Sequence, residues 1–471
     1  MPGWGWLGVI AAIIGIACAV DTWLLPKPII RPLILRLFGR GEKTVQEALK
    51  SGGSEGITLQ IPPPPQGMTH AEIKLTIDYF DGLPDAPPKI KDHFDEASKL
   101  EKEHDYRGAI KQYEACFQPE TTASQRAALY ILIGNCFFSL SGLREAEGHY
   151  KQAETAAKEA NDGEGLAAAL GNIGIIYGIK GELDKALAHL QQALKINQEI
   201  GQKEGEAAAL GNMGIICRIK GDLDKALEYH QKSLKINEEI GRKEGEAADL
   251  GNIGIICHIK GELDKALEYH QQSLKINEEI GRKEGEANQL GNIGLIYQTK
   301  GDLDKALEYH QQALNIHREI ENREGEAADL GNIGLIYDTK GELDKALDYL
   351  QQALSIDREI GLKEGEASDL GNIGNIYQIK GELDRAVDYY KQSLTINREI
   401  GRREGEAIQL HNIGLEYRDK GEPDKALEHL QQALKIFEEI GAKIEIEQAK
   451  QNIANIRKHM KSSRGQRSDT V

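Results

Sequence analysis

The chain has 471 residues, a formal net charge of −17 and an isoelectric point near 5.4. That balance argues against nucleic acid as a partner, because a basic stripe supplies most of the affinity for a phosphate backbone. Five cysteines (Cys18, Cys116, Cys136, Cys217 and Cys257) show no CxxC spacing. A disulfide framework is therefore not indicated, and a reducing compartment is the simpler reading.

Trp4–Val20 is an unbroken apolar run, and Trp23–Leu25 extend it past Asp21 and Thr22. A membrane-spanning helix needs roughly 20 mainly apolar residues, so residues 4–25 are expected to form a single-pass transmembrane helix. Trp4, Trp6 and Trp23 lie where interfacial aromatics belong. No Lys or Arg precedes the run, whereas Lys27, Arg31, Arg36, Arg40 and Lys43 follow it. The positive-inside rule then places the rest of the chain in the cytoplasm. A cleaved signal peptide, which would leave the remainder secreted or periplasmic, is the rival; Ala17-Cys18-Ala19 favours it, and the missing basic leader does not.

Residues 26–90 read as a basic, proline-rich junction. Ile29–Phe38 is a basic apolar stretch suited to a membrane surface. Ala71–Phe80 fits a strand by the alternation of Ile73, Leu75, Ile77 and Tyr79, or a helix opened by Thr69-x-x-Glu72.

From residue 91 the chain repeats itself. Phe94, Ala97, Leu100, Tyr106, Ala109, Tyr113 and Cys116 belong to the first of two diverged copies filling 91–165. Seven regular forty-residue copies then run without an insertion over 166–445. Self-similarity at such a period is the mark of a stacked solenoid. In the copy Glu246–Gly285, Leu250, Ile253, Gly254 and Cys257 fall at i, i+3, i+4 and i+7 and predict a first helix, A, closed by Gly261 at C′. Leu263, Ala266, Leu267, Ser273, Leu274 and Ile276 predict a second helix, B, ending at Gly281. In the last copy Pro423 marks the start of B, since proline is tolerated in a first helical turn. Residues 443–460 supply a capping helix, and 461–471 a short basic tail expected to be disordered.

Gly254, Cys257 (Tyr177, Tyr297 and Tyr337 in other copies), Gly261, Leu263, Ala266, Tyr269 or His270, and Ser273 (elsewhere Ala193) resemble the tetratricopeptide repeat consensus. The forty-residue length and the LGNIG of helix A are similar to kinesin light chains and Pins-type adaptors. The fold this implies is all-α: a right-handed superhelical α-solenoid of such helix pairs, here preceded by one N-terminal transmembrane helix.

No phosphate loop, nucleophile elbow, zinc-protease or dinucleotide motif occurs. No stretch outside the repeats is long enough for a catalytic domain. An enzyme is not expected, nor a cofactor, metal or small-molecule substrate. The glycines of steps such as Gly163-Glu164-Gly165 read as turn punctuation. His230, His270 and His310 form a column, but equivalent helices stack roughly 8–10 Å apart, too far to share an ion that needs ligands at about 2.0–2.3 Å.

Asn172, Asn212, Asn252, Asn292, Asn332, Asn372 and Asn412 occupy one helix A position in every regular copy. With Ala168, Ile175 and Ile179, Asn172 lies on a stripe opposite Leu170, Ile173, Gly174 and Tyr177. An amide both donates and accepts, so it can pair with the main chain of an extended peptide whatever the side chains. In the adaptors this sequence resembles, such asparagines line a concave groove; the alternative is that each satisfies a neighbouring turn. Two other positions vary, one through Ala248, Asn288, Ala328, Ser368 and Ile408. The second runs through Gly178, Arg218, His258, Gln298, Asp338, Gln378 and Arg418. These are candidate ligand-reading sites. The chaperone type of dicarboxylate clamp is disfavoured, because Gly171, Ala168 and their equivalents stand where its cations would be. The expected function is a membrane-anchored cytoplasmic scaffold binding a peptide segment or partner protein in its groove. The alternative is a regulatory sensor whose solenoid changes shape on binding a small peptide signal.

Overall fold

The computed structural model describes residues 88–468, and every regular element among them is an α-helix. The helices fall into two units, divided between Ile280 and Gly281. The first holds α1 (Pro88–Lys102), α2 (Tyr106–Ala115), α3 (Ala123–Ser139), α4 (Leu143–Ala160), α5 (Gly163–Ile179), α6 (Leu183–Ile200), α7 (Lys203–Ile219), α8 (Leu223–Ile240), α9 (Lys243–Ile259) and α10 (Leu263–Glu279). The second holds α11 (Lys283–Lys300), α12 (Leu303–Glu319), α13 (Arg323–Thr339), α14 (Leu343–Ile360), α15 (Lys363–Ile379), α16 (Leu383–Glu399), α17 (Arg403–Asp419), α18 (Pro423–Ile440) and α19 (Lys443–Ser468). Odd-numbered helices are A helices and even-numbered ones B helices. In each unit a helix packs chiefly on its partner in the pair and on the helix that follows.

The helices of the regular copies end where the sequence says they should. Gly261 has φ +73° and Gly281 φ +69°, the left-handed conformation that a residue without Cβ adopts freely. After Gly261 the chain closes the helix with Gly261 N–H on the His258 carbonyl and Glu262 N–H on the Cys257 carbonyl, each 2.8 Å. The same register continues where glycine is missing: Ser141, Asn161 and Glu321 stand there with φ +60°, +52° and +56°. Pro423 is the first residue of α18, and α19 continues beyond Met460 to Ser468.

Within a pair, helix A comes so close to helix B that its central glycine is required. A Cβ on Gly254 would lie 2.7 Å from the His270 ring, and one on Gly374 would lie 2.6 Å from Tyr390. Around this contact Ile253, Ile256 and Ala266 are fully buried. The glycines of the GEG steps have a different role from turn punctuation. Gly205 and Gly245 lie inside the first turn of α7 and α9. A Cβ there would strike the amides of Asn197 and Asn237 at about 2.5 Å. They admit a polar side chain from the preceding B helix, and that is why they recur every forty residues.

At the end of the second unit α19 lies on α17 and α18. Phe437 is buried with Ala442, Ala449, Ile453 and Ile456, the apolar face that a terminal repeat must cover.

The membrane-spanning helix expected ahead of the solenoid is withdrawn from the fold. No helix among the described residues is long and apolar enough to cross a membrane. The physical reason is amphipathicity: α6, for example, carries Asp184, Lys185, Lys195 and Glu199 along its outer side. The run 4–25, the junction 26–87 and Cys18 lie outside the described residues.

Candidate functional site

Successive A helices touch one another in each unit, as α5, α7 and α9 do in the first and α13 and α15 in the second, and they form its inner side. A neighbouring A helix can lean directly on a small residue of this side. A Cβ on Gly178, for instance, would lie 2.6 Å from Ile216 of the next A helix. The asparagine column runs down this side. In the first unit Asn172, Asn212 and Asn252 are buried on α5, α7 and α9. In the second Asn332, Asn372 and Asn412 are buried on α13, α15 and α17, and Asn292 on α11 is half-buried.

Their hydrogen bonds differ from copy to copy. Asn172 Nδ2 donates to Asn135 Oδ1 at 3.4 Å. Asn252 Nδ2 donates to the Ala248 carbonyl one turn back at 3.1 Å, leaving its Oδ1 buried with no hydrogen-bond partner. The Oδ1 of Asn372 is in the same state. An acceptor left buried and unmade costs about 1–3 kcal/mol, so two such oxygens in one column ask for a reason. Ile175 and Ile215 are buried beside the column, and Ile179 at the end of α5 is exposed.

The variable row is more exposed than the column. Gly178 and Arg218 are buried, and His258 on α9 is half-buried, its imidazole pushed down to about 4 by burial. In the second unit Gln298, Asp338, Gln378 and Arg418 are half-buried. Arg418 donates through Nε to Asp419 at 2.6 Å. Gln378 faces Glu416 of the next A helix, whose carboxyl burial pushes up to about 7. Arg418 and Gln378 thus make contacts within their own chain.

The sequence reading missed a polar layer between repeats. His230 Nδ1 meets Asp249 Oδ1 at 2.9 Å, and Asn237 donates to Asp249 Oδ2, also at 2.9 Å. In the second unit His310 and His317 hold the two oxygens of Asp329 at 3.1 and 2.9 Å. His230 and His310 of the histidine column are therefore each bonded to an aspartate of the following repeat. The signal was present as further columns at the same period, with Asn197, Asn237, Asn277, His317, Asp357 and Asn397 down one and Asp249, Asp329 and Asp369 down another.

The tetratricopeptide repeat family model matches residues 125–199, 205–279, 286–359 and 367–439. The chain is a tetratricopeptide repeat protein. No curated protein matches its sequence. Among solved structures it is similar to a Signal Transduction ATPase with Numerous Domains protein with a tetratricopeptide repeat sensor from Pyrococcus horikoshii. The identity is 18% and the TM-score 0.52, over 75% of this chain and 55% of that one. It also resembles the apo form of RapI, at 20% identity and TM-score 0.49 over 59% and 99% of the two chains. A Rap protein complexed with Competence and Sporulation Factor matches at 14% and 0.47, over 79% and 98%. At such identities these likenesses bear on the fold alone.

Proposed function

We propose that this tetratricopeptide repeat protein is a non-enzymatic binding scaffold. The inner side of its A helices takes an extended segment of a peptide or partner protein, and the asparagine column holds the ligand's main chain. The observation that carries this reading is the pair of buried, unpartnered oxygens on Asn252 and Asn372 within a column kept in all seven regular copies. Mid-helix asparagine is mildly unfavourable against alanine, so seven of them in register have a cost that backbone recognition explains.

The test uses the full chain and its Asn172→Ala/Asn212→Ala/Asn252→Ala variant as bait, with captured proteins identified after cross-linking. The reading expects a defined partner on the parent that is lost from the variant, while the melting temperature stays the same or rises. A melting temperature that drops steeply, with capture lost only in proportion, assigns the amides to internal structure instead.

A further inference from the structure

In the second unit three repeat positions, two on a B helix and one on the next A helix, can be compared copy by copy. Between α12 and α13 they hold His310, His317 and Asp329; between α16 and α17, Tyr390, Asn397 and Gln409; between α18 and α19, Leu430, Phe437 and Ala449. Between α14 and α15 they hold Leu350, Asp357 and Asp369. That contact therefore sets a carboxyl against a carboxyl, where its neighbour sets imidazoles against a carboxylate. Asp357 and Asp369 are 4% and 6% exposed, and Oδ1 of the first and Oδ2 of the second are buried without a hydrogen-bond partner. Asp357 is pressed into the first turn of α15, where a Cβ on Gly365 would lie 2.0 Å from its Oδ2. At the equivalent positions His317 and Asn237 stand 2.9 Å from their aspartates.

The charged groups around the pair offer no relief. α13 presents Glu324 and α15 presents Glu366, and both push Asp357 further from ionising. Arg358 on α14 and Lys363 on α15 both bond Glu366, each at 2.8 Å. Two carboxylates in one dry contact cannot both ionise cheaply, and such a pair titrates as a unit. We infer that the α14–α15 contact stays closed only while this buried carboxyl pair holds a proton, and that releasing this proton to solvent loosens the contact. It is a pH-sensitive joint inside the second unit, and it works whether or not a ligand occupies the groove.

The titration agrees in direction. Burial, then Glu324 and Glu366, push Asp357 up from 3.8 to about 7. Burial and the charge of Asp357 hold Asp369 well above the usual carboxylate range. A carboxyl raised in this way keeps a proton that the unfolded chain gives up. Its contribution to stability is complete below the ordinary value of 3.8 and is lost as the pH climbs through about 7.

The experiment is hydrogen exchange by mass spectrometry on the full chain between pH 5.5 and 8, corrected for intrinsic rates. Peptides from α14 and α15 are expected to lose protection by about tenfold across that range, while those from α12 and α13 change less. Asp357→Asn copies Asn237 and Asn397, and Asp369→Gln copies Gln409, so both put into this contact a residue the chain already uses there. Each is expected to flatten the α14–α15 profile, leaving any slope contributed by Glu416 in α16 and α17 unchanged. Protection in α14 and α15 that does not vary with pH in the parent chain overturns the proposal. So do variants, folded by circular dichroism, whose α14–α15 profiles track the parent.

Discussion

The α12–α13 and α14–α15 contacts are one repeat apart and differ at two of the three compared positions. In the first, His310 and His317 close on the two oxygens of Asp329. In the second, Leu350 and Asp357 replace the histidines and leave Asp369 with an oxygen that has no partner. The backbone is indifferent to the exchange, because the glycines at 325 and 365 give the incoming side chain the same slot. What changes is the polar pairing: in one contact both oxygens of the aspartate meet imidazole nitrogens, and the other depends on a proton. A repeat architecture allows this because each copy answers only to its neighbours, so one joint can be retuned without redesigning the rest.

The comparison breaks most visibly at Asp329. Asp329→Ala strands the Nδ1 atoms of two buried histidines, and the second unit is expected to lose about 3 kcal/mol or more in urea titrations. A loss below about 1 kcal/mol would mean the histidines find other partners and the contact is held by packing alone.

Grafting one contact onto the other comes next in size. Leu350→His with Asp357→His writes the α12–α13 trio into α14–α15, giving Asp369 two donors. The double variant is expected to gain about 1–2 kcal/mol at pH 8, where the parent pair has lost its proton. At pH 5 the gain shrinks towards zero, because there the parent carboxyls still hold it. Equal gains at both values would show that packing, not charge, separates the two contacts.

A smaller effect concerns the turn that leads into α13. Glu321 holds φ +56° where most copies place glycine. Glu321→Gly is expected to add about 1 kcal/mol by removing the Cβ conflict of a left-handed residue, read as a rise in melting temperature independent of pH. The surface bridges close the series. Lys380 meets Asp344 at 2.6 Å, but the aspartate side chain is 91% exposed. Exposed pairs contribute little, so Lys380→Ala should leave the melting curve unchanged.

The helix pairs, their boundaries and the glycine closures were legible because they depend on local properties: apolar period, left-handed glycine, proline at a first turn. The family was legible for the same reason, since the period of forty is a property of the string. The inner asparagine column was also legible as a column. Its burial was not, because Ile216 reaching towards Gly178 is a matter of how closely A helices approach. The GEG glycines were read as turns because a glycine beside a helix start looks like punctuation until the side chain of Asn197 or Asp357 is seen occupying its space.

Sequence by itself determined that this protein is a run of tetratricopeptide helix pairs with an asparagine kept at one helix A position. It did so because a repeated pattern states both the unit and its partner. Only the tertiary structure decided which polar residues of neighbouring copies meet. Asp249, Asp329 and Asp369 share a column, yet the first finds His230 and Asn237, the second two histidines, and the third another acid. The raised titration of Asp369 follows from burial and from who stands across the contact, and both arise only when helices from successive copies are packed together.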